Sequence, residues 1–109
     1  DEQRWRERIS EVLTSRGHKV TSVPHGTGAL KLFKENSFDC VITDNHMPGL
    51  SGVELAEEVK KISQTPVILV TADVSMDKSD SVDEIFWKGD ALELLAEGVE
   101  RLVERAKNE

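Results

Sequence analysis

The amino-acid sequence predicts an α/β fold, a parallel sheet with helices on both faces. Three observations predict it. Amphipathic helical stretches alternate with short apolar runs along the whole chain. Those runs, FDCVIT (38–43), PVILV (66–70) and EIFW (84–87), are bounded by polar or turn-forming residues. FDCVIT and PVILV are nearly continuous in apolar residues rather than alternating, the pattern of strands covered on both sides. Strands separated by helices make βαβ units, and βαβ units pair in parallel.

In chain order, residues 2–16 carry Trp5, Ile9, Val12 and Leu13 at helical spacing among charges, and Gly17 ends that helix. HKVTSV (18–23) reads as a short strand, closed by Pro24 and the Gly26/Gly28 pair. Residues 28–36 form a second helix with Ala29, Leu30 and Phe33 on one face, and FDCVIT follows as a buried strand. NHMPGLSG is a loop by its proline and glycines. GVELAEEVKKI (52–62) is a third amphipathic helix, its inner face Leu55, Ala56, Val59 and Ile62. PVILV is the clearest buried strand, residues 73–83 are polar and weakly patterned, and EIFW is a further strand. Residues 90–107 make the last helix, with Leu92, Leu95, Val99, Leu102, Val103 and Ala106 as its stripe.

Size and composition bound the function classes. A chain of 109 residues has the usual size of one domain and room for one core, so 1–109 is read as a single domain. With 38% hydrophobic and 32% charged residues it is globular rather than disordered. No apolar run is long enough to span a bilayer, and no membrane role is expected. The formal net charge of -7 argues against nucleic-acid binding through the bulk field. A single cysteine excludes an internal disulfide and suits a reducing, cytoplasmic setting. Cys40 reads as a small core hydrophobe and Trp5 as core, while His18, His25 and His46 have no metal-cluster spacing.

Ligands of open α/β sheets bind beyond the carboxyl ends of the strands. Asp44 follows CVIT, Thr71 follows PVILV and Lys88 follows EIFW, so a carboxylate, a hydroxyl and an ammonium face one edge. A carboxylate can attack phosphorus to form an acyl phosphate. An ammonium and a hydroxyl can meet the charge that phosphoryl transfer spreads over oxygen. Mg²⁺, bound through one or two carboxylates, suits the same reaction. Asp44 would be one ligand, and Asp1 and Glu2 are the topological candidates for a further acid.

These residues carry a resemblance. The acidic start of the first helix, VITDNHMPGLSGVEL, PVILVTA and FWKGDALELL together resemble the receiver domain of two-component response regulators. The resemblance covers most of the chain and implies a flavodoxin-like, doubly wound sheet of strand order 2-1-3-4-5. It makes Asp44 the phosphoacceptor for a sensor histidine kinase's phosphohistidine, Thr71 the switch hydroxyl and Lys88 its ion-pairing partner. It makes Asp1, Asp44 and the backbone carbonyl of His46 the Mg²⁺ ligands, with Glu2 a possible member of the acidic pocket. The implied role is a phosphoacceptor that assists its own phosphorylation and dephosphorylation, not a turnover enzyme, acting on an unknown downstream protein.

The sequence departs from the family at four places. The family's first strand, which lies mid-sheet and ends in two acids, would precede Asp1, so either the domain is N-terminally incomplete or its sheet is rearranged, and it reads as the first. The interval from Thr71 to Lys88 is short, which predicts a stunted fourth helix. Gly89 stands where the family usually has a cis proline. The family's aromatic switch position falls near Ile85 rather than on Phe86 or Trp87. These departures define an alternative, a degenerate receiver acting as a phosphorylation-independent interaction module. An aspartyl-phosphate hydrolase is a third reading, weakened because His46 occupies the general-acid position two residues after Asp44.

Overall fold

A computed structural model describes residues 2–45, 49–72 and 80–108. Its elements follow the alternation of the sequence: α1 (Glu2–Ser15), α2 (Gly26–Glu35), β1 (Val41–Asp44), α3 (Gly52–Ile62), β2 (Val67–Thr71), β3 (Glu84–Trp87) and α4 (Leu92–Lys107). The three strands pair in parallel in the order β1-β2-β3. Parallel neighbours need a crossover, and α3 supplies it between β1 and β2.

β2 shows why the sheet is covered on both faces. Ile68 and Val70 join the cluster of α1 and α4, including Ile9, Leu13, Leu95 and Leu102. Val67 and Leu69 join the opposite cluster with Phe33, Leu55 and Val59 from α2 and α3. Every β2 residue is buried, so each position can be apolar and the run shows no alternation. Burying a leucine such as Leu95 or Leu102 contributes about 1.5–3 kcal/mol, which makes the α4 stripe a main source of stability. Val103 is only half-buried and Ala106 is exposed, because the stripe turns away from the sheet in the last turns.

Local chemistry sets the helix ends. Gly17 has φ +90°, and Gly17 N–H donates to Thr14 O while His18 N–H donates to Leu13 O, both at 3.0 Å. This left-handed cap satisfies the last carbonyls of α1. Ser51 and Glu54 form a reciprocal capping box at the start of α3, with bonds of 3.1 and 2.9 Å. A side chain at Gly52 would bring its Cβ to 2.5 Å from Asp44 O and 2.7 Å from Leu69 Cδ1. Only glycine lets α3 begin against the end of β1.

Several sequence expectations are corrected. HKVTSV is not a strand: it joins no ladder among the described residues, although Val20 packs on the α1–α4 core. A strand exists only by pairing, and the neighbour that the resemblance gives this segment is the first strand. β1 is an edge strand among the described residues, with Val41 and Ile42 half-buried rather than covered on both sides. α2 begins at Gly26 rather than residue 28 and α4 at Leu92 rather than residue 90, while β1 spans Val41–Asp44 rather than 38–43 and β2 Val67–Thr71 rather than 66–70. Ile62, expected on the inner face of α3, is 49% exposed because it ends the helix with no further turn to cover it. The stunted fourth helix expected after Thr71 falls largely on residues 73–79, outside the described residues, while 80–83 are non-helical and bury Val82.

Candidate functional site

The strand register brings the three sequence-predicted side chains to one edge. Asp44 ends β1 level with Val70, and Thr71 ends β2 level with Trp87, so Lys88 follows directly beyond β3. Lys88 N–H donates to Thr71 O at 2.9 Å, which ties the residue to the end of β2. Its side chain reaches across the end of β2 to β1, where Nζ donates to Asp44 Oδ2 at 2.6 Å. The side chains of Lys88 and Asp44 are 25% and 10% exposed, which protects the pair from the screening that weakens surface ion pairs. Thr71 ends β2, the strand between β1 and β3, and is buried at 1% exposure. The structure thus joins Asp44 and Lys88 through their side chains and sets Thr71 at the end of the strand between them.

The backbone around Asp44 is held from α3. Asn45 O accepts from Gly52 N–H at 3.3 Å, and Asn45 Oδ1 accepts from Val53 N–H at 3.2 Å. Thr43 Oγ1 donates to Asp44 O at 3.0 Å. After Lys88 the chain turns at Gly89, whose φ of +107° favours glycine, and Asp90 N–H donates to Trp87 O at 3.2 Å. Ile85 packs on the α2–α3 side and Phe86 on the α1–α4 side, as alternation along β3 requires, while Trp87 is exposed.

The metal-ligand expectations are only part-visible. Asp44 is in place at the strand end, but Asp1 and the loop carrying His46 lie outside the described residues. Glu2 opens α1, and its side chain is likewise outside them. Among the described residues there is no group of three or more His, Cys, Asp or Glu side chains that could hold a metal by themselves. A hard carboxylate oxygen at a strand end nevertheless suits Mg²⁺, which is held through one or two carboxylates together with water and phosphate oxygens.

Two features fall outside the predicted set. Trp5, read from the sequence as core, packs on the α1–α4 cluster and also presents its ring to Lys88, with Nζ 5.4 Å from the ring centroid. The signal was available: the first turn of a helix that runs back along a parallel sheet lies at the strands' carboxyl edge. At the opposite edge, a cavity of about 290 Å³ is lined by Phe38, Thr65, Pro66 and Val103, among others, and is remote from Asp44. Cys40 precedes β1 at that same end, and burial pushes its thiol up to about 12, which disfavours the thiolate.

Comparison with known proteins identifies the family and the fold. The response regulator receiver domain family matches residues 1–85. The transcriptional regulatory protein AfsQ1 of Streptomyces coelicolor is 31% identical over 85 residues, covering 78% of this chain and 36% of AfsQ1. The virulence sensor protein BvgS of Bordetella pertussis is 31% identical over 111 residues, covering 90% of this chain and 9% of BvgS. The chain spans about a third of the length of AfsQ1 and of the regulators that match it next best. Response regulator TrrA of Thermotoga maritima, solved in complex with Mg²⁺–BeF, gives a TM-score of 0.84 at 36% identity, covering 94% of this chain and 92% of that one. A Francisella response regulator receiver domain gives 0.85 at 25% identity, covering 97% and 93%. With its parallel sheet faced by helices on both sides and these relatives, the chain belongs to the response regulator receiver domains of two-component signalling, and its fold is the flavodoxin-like fold of that family.

Proposed function

We propose that Asp44 is the phosphoacceptor of this receiver domain, and that Thr71 and Lys88 serve the phosphoryl group it carries. The observation that supports this reading most directly is the Lys88–Asp44 contact of 2.6 Å beside the end of β2. One carboxylate oxygen of Asp44 forms a bond to phosphorus while the bond to the donor's imidazole nitrogen breaks, and the imidazole leaves with the electron pair. Lys88 supplies fixed positive charge to the phosphoryl oxygens, and the Thr71 hydroxyl donates to one of them. Attack by water on the acyl phosphate returns Asp44 and inorganic phosphate, so the domain acts as a phosphoacceptor that assists its own phosphorylation and dephosphorylation.

Asp44, Asp1 and the His46 carbonyl would hold Mg²⁺, with Glu2 adjoining, and the bound ion would neutralise charge on the transferring group. A sensor histidine kinase is the proposed donor. Phosphorylation would shift a two-state equilibrium through Thr71 and change the binding of a downstream protein, without direct contact of this domain with nucleic acid or membrane. A cytoplasmic setting fits the lone cysteine, and among the described residues no helix is long and apolar enough to cross a membrane. Residues 1–109 are proposed as one domain, with the open side of β1 as the place for a further parallel strand. An assembled Asp44–Lys88 pair supports this reading over a phosphorylation-independent interaction module.

Intact mass after treatment with acetyl phosphate and Mg²⁺ tests the reading. A gain of one phosphoryl group is expected in the wild type and none in Asp44→Asn. A gain that survives Asp44→Asn would move the acceptor elsewhere.

A further inference from the structure

Lys88 carries its charge on a stem of four rotatable carbons, and holding such a stem in one geometry costs conformational entropy. The Asp44 carboxylate offers it one restraint. The Trp5 ring offers another from a different element, since Nζ lies 5.4 Å from the ring centroid while donating to Asp44 Oδ2 at 2.6 Å. That separation is within the range at which an ammonium is attracted to the indole quadrupole, and indole is the strongest of the aromatic partners. Trp5 is half-buried and packed against the α1–α4 core, so its ring is itself restrained by the fold. The ammonium is thus held between the first turn of α1 and the end of β1.

We propose that Trp5 is a positioning residue for Lys88, presenting the ammonium to the phosphoryl group that arrives on Asp44. The proposal rests on the phosphoacceptor reading of Asp44 and extends it to α1, which that reading leaves without a task at this lysine. When Asp44 gains the phosphoryl group from acetyl phosphate, an Asp44 oxygen bonds to phosphorus, the P–O bond to acetate breaks and acetate departs with the electron pair. Negative charge grows on the phosphoryl oxygens during this step. An ammonium already held nearby needs little reorganisation to meet that charge. An ammonium free to sweep solvent needs more. The ring acts through its face, and an aliphatic side chain of similar bulk fills the same space without that attraction.

The test uses the full chain, acetyl phosphate with Mg²⁺, and intact mass followed over time. Trp5→Leu and Trp5→Phe both keep an apolar side chain against the core, and their urea midpoints establish that the compared proteins are folded. Uptake is expected to slow by roughly three- to tenfold in Trp5→Leu and to be largely restored in Trp5→Phe. A purely structural role would instead track the urea midpoints. In a Trp87→Phe background Trp5 is the sole indole, and its emission is expected to change on Lys88→Met and on phosphorylation. Equal uptake rates for Trp5→Leu and wild type, or an emission indifferent to Lys88→Met, would overturn the positioning role while leaving Asp44 as acceptor. A wild type that gains no phosphate at all would instead remove the acceptor reading, and the positioning role with it.

Discussion

Two lysine–aspartate pairs sit at opposite edges of the same sheet, and on the proposed reading they serve different ends. At the amino edge, Lys60 Nζ donates to Asp83 Oδ2 at 2.8 Å and to Thr65 O at 2.8 Å. The same Asp83 oxygen accepts from Val67 N–H at 2.8 Å, and Asp83 N–H donates to Val67 O at 2.9 Å. That pair stitches the end of α3 to the starts of β2 and β3. At the carboxyl edge, Lys88 and Asp44 meet beyond the strands, where α/β sheets bind ligands. Residue types and distances are nearly the same, so the chemistry of a pair does not reveal its role. Its position relative to strand direction does.

Breaking one pair at a time sharpens that contrast. Lys88→Ala should lower phosphoryl uptake from acetyl phosphate by about 100-fold, far more than any shift in its urea midpoint accounts for. Asp83→Ala should do the reverse. It strands the Lys60 ammonium and the Val67 amide, costing about 1–3 kcal/mol of stability, while uptake per folded molecule stays unchanged. If Asp83→Ala slowed uptake as much as Lys88→Ala, the division of labour between the two edges would fail.

Thr71 gives a smaller effect at the carboxyl edge. Because it is 1% exposed, Thr71→Val preserves packing and removes only the hydroxyl. Uptake or retention of the phosphoryl group should fall by up to roughly tenfold, the worth of one hydrogen bond, and Thr71→Ser should restore most of it. Equal kinetics for Thr71→Val and wild type would reduce Thr71 to a packing residue.

The smallest effect belongs to the ion cluster that ties α1 to α4. Arg16 Nε and Nη2 donate to Glu100 at 2.8 and 2.6 Å, and His18 Nε2 lies 2.9 Å from the same carboxylate. These hydrogen bonds, Arg16's first, lower the Glu100 pKa from 4.5 to about 2. A depressed carboxylate stabilises the fold above its unfolded value, so the contribution is present at neutral pH and fades as pH falls from 4.5 towards 2. Both side chains are about a third exposed, so Glu100→Gln should lower the thermal midpoint only slightly at pH 7, and less in high salt. A large and salt-independent drop would show that the cluster does more than fasten two helices.

The difference between the two edges also explains what could be read before the fold was known. β2, α3 and β3 were legible because burial writes an apolar pattern into the sequence whichever elements supply the cover, down to the bounds of α3 and β3. Asp44, Thr71 and Lys88 were legible because strand direction alone sends the residues after each strand to one edge. HKVTSV was misread because alternation records a strand's faces and says nothing about who pairs with it. The exposure of Ile42 was missed for the same reason: an edge strand and a central strand can be equally apolar. Trp5 was read as core, which is half right, since an indole can bury one part against leucines and still offer a face to an ammonium.

Gly52 carries a consequence for how this domain can drift in sequence. With α3 pressed against the Asp44 carbonyl, even a methyl group at position 52 would act as a wedge driven under Asp44. Gly28, with open space where its side chain would be, carries no such burden. Mutational tolerance in this chain is therefore set less by distance from Asp44's carboxylate than by what lies behind its backbone. A library that randomised both glycines would retain many residues at 28 and return almost only glycine at 52.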